Sequence, residues 1–71
     1  MDKVIALHRY VRAQLYAVAT LHPPMQRHWL TAQVACNKAA KAIRDGDAAL
    51  ALRWCQLAAD TLASDAEALR Q

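Results

Sequence analysis

Helix breakers are nearly absent from this sequence. Its 71 residues hold one glycine, Gly46, and two prolines, the adjacent pair Pro23-Pro24. Glycine and proline are the strongest local punctuators of a chain. Between these marks nothing stops a helix from propagating. A chain of this length makes one domain, residues 1–71. The reading is all-α: helices at about 2–21, 24–44 and 48–69. They form either a three-helix bundle or a long helical hairpin with an added N-terminal helix. Such a domain buries only roughly 60% of its unfolded surface. A second copy of the chain is therefore an expected source of stability, and the fold is read as dimeric.

Periodicity supports each helix. In helix one, Val4, Val11 and Val18 recur every seven residues, and Leu7, His8 and Leu15 widen the line into a core stripe. Arg9, Arg12, Tyr16 and Thr20 take the opposite side. Asp2 meets the positive end of the helix dipole. His22 precedes a proline, a position that disfavours helical backbone, and Pro24 suits the first turn of the next helix. The expected core face of helix two is Met25, Trp29, Ala32, Cys36, Ala39 and Ile43. Gly46 fits the left-handed position after helix two, and Asp47 fits the cap of helix three. The expected apolar face of helix three is Leu50, Trp54, Leu57, Ala58, Thr61 and Leu62.

Several chemistries find no support. Helical metal pairs want ligands one turn apart, and His8, His22 and His28 have no such spacing. No Cys-x-x-Cys occurs, so neither a metal nor a cofactor is expected. His8 and His22 are read as edging the core with one ring nitrogen hydrogen-bonded, and His28 as lying at a helix rim. Cys36 and Cys55 have no histidine near them in sequence to act as a base, as a nucleophile requires. They are read as buried free thiols of a reducing, cytoplasmic compartment. A bridge between helices two and three stays open, since both cysteines face one core. Asp45 and Asp47 have turn and capping roles, and Asp60, Asp65 and Glu67 read as a solvated face. No enzyme is expected. The longest stretch without a charged residue, Ala13 to Gln26, is too short and too polar to span a bilayer. With 56% apolar residues, the chain is not expected to be disordered.

Charge is segregated along the chain. Residues 1–44 carry seven Lys and Arg against Asp2 alone, a net +6; residues 45–71 carry two Arg against five carboxylates, a net −3. A basic surface attracts an acidic protein or a nucleic acid. At about 100° per residue, Leu30 and Val34 fall on the far side of helix two from its core line, among Arg27, Lys38 and Lys41. Ile5 and Leu52 are displaced in the same way on their own helices. The seam of Arg27, Leu30, Val34, Lys38 and Lys41 is one expected contact surface, and Arg9, Arg12 and Tyr16 form another.

The stretch from Ala35 through Ala42-Ile43 to Leu57-Ala58-Ala59 resembles one helical hairpin of the tetratricopeptide type, without that family's tryptophan and proline marks. The size and helical layout also resemble small phage-encoded inhibitors of host factors, such as anti-CRISPR proteins and quorum-sensing anti-activators. Small antiparallel RNA-binding dimers that control plasmid copy number share that layout. These likenesses imply a regulatory or inhibitory role through protein–protein binding. The alternative is a small basic nucleic-acid-binding dimer using Arg9, Arg12, Arg27, Lys38 and Lys41, with RNA or DNA as partner.

Overall fold

In a computed structural model, the backbone is described for residues 1–21 and 26–70, and the side chains for 1–18 and 29–64. Three helices make up the described chain: α1, Asp2–Leu21; α2, Gln26–Arg44; and α3, Ala48–Arg70. No strand occurs among the described residues. The expectations for His22, Pro23, Pro24 and Met25, and for the side chains of Thr20, Arg27, His28, Asp65 and Glu67, lie outside the described residues.

The turn between α2 and α3 explains why they form a hairpin. Gly46 has φ +77°, the left-handed region that costs glycine little. The Asp47 N–H donates to the Ala42 carbonyl at 2.9 Å, and the Gly46 N–H donates to the Ile43 carbonyl at 3.1 Å. These two bonds make a Schellman ending and satisfy carbonyls that the helix itself leaves open. Asp47 then starts α3. Its carboxylate Oδ1 accepts the Leu50 N–H at 3.0 Å, and its own carbonyl accepts the Ala51 N–H at 3.0 Å. One aspartate thus closes one helix and caps the next. So short a connection leaves α2 and α3 antiparallel.

Most of the packing lies between α2 and α3, with α1 touching both. The α2–α3 seam is built from small residues. Ala32, Ala35, Ala39 and Ala42 are buried on α2, and Ala51, Cys55 and Ala58 on α3. Val11 and Leu15 of α1 and Leu62 of α3 join Ala32, Ala35, Cys36 and Ala58 in the core, with Leu7, Val18, Trp29 and Trp54 packed against its edge. Two polar bonds fix α1 on α2. The Trp29 indole Nε1–H donates to the Leu15 carbonyl at 2.7 Å, and His8 Nε2 lies 3.1 Å from the Cys36 carbonyl that accepts from it. His8 therefore has the hydrogen-bonded, core-edge role read from the sequence.

The core line of α3 differs from the expected one. Leu50 and Leu57 were expected to face inward, yet they are 41% and 44% exposed. The buried line runs through Ala51, Cys55, Ala58 and Leu62, about a quarter-turn away. The physical reason is the alanine row of α2. Small side chains let two backbones come close, and a leucine on that line would hold them apart. The bulky residues are therefore displaced to the flanks. On α2, Ala35 and Ala42 join the buried line, while Ile43 is only half-buried.

Candidate protein-binding face

The α2–α3 hairpin has two broad faces, and α1 covers one of them. The groove between α1 and α2 is lined by His8, Arg12, Leu15, Gln33, Cys36 and Ala40. The groove between α1 and α3 is lined by Val11, Val18, Ala59 and Leu62. On α2, residues 33, 36 and 40 thus look toward α1. Relative to Cys36, at 100° per residue, Leu30, Val34, Lys38 and Lys41 sit between about 120° and 200°, on the opposite side. On α3, residues 59, 62 and 63 lie to one side of Ala58, and Leu50, Trp54, Leu57 and Thr61 lie to the other. On each helix the stripe thus lies away from the residues that face α1.

A direct contact joins the stripes. Lys38 Nζ stands 5.3 Å from the centroid of the Trp54 ring. The ammonium lies over the negative face of the indole, while the lysine stem covers apolar surface. Beside this contact, Leu50, Trp54, Leu57 and Arg53 line one shallow apolar recess, while Leu30 and Val34, each 51% exposed, stand on the outer side of α2. Half-exposed leucines found singly are ordinary, but a contiguous group with a tryptophan and a charged rim is the composition of an interaction surface.

Leu30, Val34, Lys38 and Lys41 are all exposed on α2, and Lys38 reaches the tryptophan of the recess on α3. The α3 half was missed because Leu50 and Leu57 had been assigned to the core. The available signal was the alanine spacing at 32, 35, 39 and 42, answered by 51, 55 and 58. Arg9, Arg12 and Tyr16 do lie together on the exposed side of α1, with the Arg12 guanidinium 5.8 Å from the Tyr16 ring centroid. That group borders the α1–α2 groove, away from the open face. Among the described basic residues, Arg9 and Arg12 thus stand on α1, and Lys38 and Lys41 on the far side of α2 from Cys36.

Both cysteines are free and buried. Burial pushes the Cys36 thiol up from its ordinary range; Cys55 beside it raises it further, and Arg12 opposes. Burial likewise raises Cys55. Both shifts favour the protonated, less reactive form of the thiol. Among the described residues no group of three His, Cys, Asp or Glu is placed to hold a metal ion. Nor is any helix of those residues long and apolar enough to cross a membrane. In comparison with known proteins, no family model, curated protein or solved structure matches the chain.

Proposed function

We propose that this chain is a small non-enzymatic regulatory or inhibitory protein that acts by binding protein through the open face of the α2–α3 hairpin. One observation carries the reading: Leu50, Leu57, Trp54 and Arg53 line one exposed apolar recess on α3, and Lys38 of α2 lies over its tryptophan. Helical faces of this size accept another helix, whose i, i+3, i+4 and i+7 anchors span about 10 Å. The same spacing separates Leu50 from Leu57. Homodimerisation belongs to this reading, because a core built largely of alanine gains from more buried apolar area. The buried free thiols support a reducing, cytoplasmic setting.

The division of the cations favours protein over nucleic acid as the partner. A phosphate backbone is held by many cations on one continuous surface, and among the described residues Arg9 and Arg12 stand on α1 apart from Lys38 and Lys41 on α2.

A photo-cross-linking residue placed at Leu57 or Val34, in the cell the protein comes from, tests the reading. Protein adducts are expected at both positions and not at Ala13, an exposed site on α1. Equal labelling at Ala13, or no protein adduct from the open face, contradicts it.

A further inference from the structure

Beside the outward stripe of α3 runs a line of ordered charge, and its order selects an occupant for this surface. Arg53, Leu57 and Asp60 are all exposed and follow one another at i, i+4 and i+7. Arg53 and Asp60 differ by only about 20° around the helix and lie about 10 Å apart along it. Among the described residues neither has an ion-pair partner within the chain. A cation and an anion thus flank a leucine on one line, two turns apart.

Such a line is complementary to itself when reversed. Two α3 helices laid antiparallel, with a two-fold axis next to Leu57, bring each arginine onto the other copy's aspartate. A parallel pairing sets like charge on like. The antiparallel arrangement is isologous, so one pair implies its symmetric twin. It also brings Leu57 onto the axis, where its equivalent meets it, and lays Leu50 over the small side of the other helix near Ser64. Lys38, held over Trp54, stays at the edge of this contact and leaves the central line free.

We infer that this line of α3, bordering the open face, is covered by a second copy of this chain, docked antiparallel about a two-fold axis at Leu57, with Arg53 of each copy meeting the partner subunit's Asp60. This deepens, and rests on, the reading of that face as a protein-binding surface. The apolar side chains supply the association, and the two charge pairs set register and direction, which is the usual role of charges at an interface rim.

The test is a charge swap read by sedimentation equilibrium on the full chain. Wild-type protein is expected to show a concentration-dependent monomer–dimer equilibrium. Arg53→Glu and Asp60→Lys each create two like-charge contacts and weaken dimerisation by about tenfold or more. Mixed in equal amounts, the two variants have opposite charges at both contacts, and dimer returns to within about twofold of wild type. Both substitutions are at exposed sites, and circular dichroism verifies that each variant keeps the helical fold. A wild-type protein that is monomeric at every concentration overturns the inference. So do reversal variants that dimerise as wild type does, or a mixture no better than its parts. The outcomes separate the two readings. A monomeric wild type that still cross-links to a foreign protein from Leu57 defeats self-docking and leaves the binding face intact. A monomer with no adduct defeats both.

Discussion

Gly46 and Asp47 carry the sharpest local duties in the chain. An L side chain at Gly46 meets no atom within 4 Å, so the obstacle there is the backbone angle of +77° rather than space. Gly46→Ala is expected to lower stability by about 1 kcal/mol, through the positive φ alone. Asp47→Ala removes the acceptor for the Leu50 N–H and is expected to cost about 1 kcal/mol. Urea unfolding of the two variants measures both. The thiols give a pH signature. Cys36 and Cys55 are raised in the folded state from the ordinary value of 9.0, so the unfolded chain gives up these protons first. Their contribution to stability is fully present below pH 9.0 and is lost as pH rises through the raised folded values. Unfolding free energy is therefore expected to fall above pH 9.0, and to fall less in a variant with Cys36→Ala and Cys55→Ala. An identical decline in that variant contradicts the assignment.

Among the elements, the α2–α3 seam decides where everything else points. Its alanines permit close approach, so Ala39→Leu is expected to destabilise by about 1–3 kcal/mol through overpacking. The two leucine stripes of α3 provide a contrast. Leu62 is buried, and Leu62→Ala is expected to cost about 2–5 kcal/mol. Leu57 is exposed, and at concentrations where the chain is monomeric Leu57→Ala is expected to change stability by about 0.5 kcal/mol or less. Reversed magnitudes would restore the leucine line as the core. Much of this level was legible in the sequence, because Pro23-Pro24 and Gly46 are discrete marks and the turn chemistry at residues 45–47 is local. The core stripe of α1 was legible too, since its valines and leucines carry the periodicity unaided. The rotation of α3 was not. A hydropathy pattern ranks leucine above alanine for burial, whereas close helix packing ranks the smaller residue first. That conflict is resolved only by the partner helix, so Leu50, Trp54 and Leu57 surfaced as a candidate site only in the folded molecule.

At the scale of the whole molecule, the domain is a rod of 38 × 17 × 16 Å. Among the described residues, Val11 and Cys55 are the largest side chains that are completely enclosed. A core so poor in large aliphatic groups yields little hydrophobic stabilisation per residue, roughly 25 cal/mol for each Å² removed from water. The same rod leaves an aliphatic and tryptophan surface in water on the side away from α1. On the proposed reading, the face left open by α1 is where the molecule meets another protein, its own copy first. Amide chemical shifts followed by NMR through a dilution series test this most directly. The concentration-dependent shifts are expected to gather on Val34, Lys38, Leu50, Arg53, Trp54, Leu57 and Asp60. Shifts centred instead on Arg9, Arg12 and Tyr16, or no shifts across the series, would contradict it.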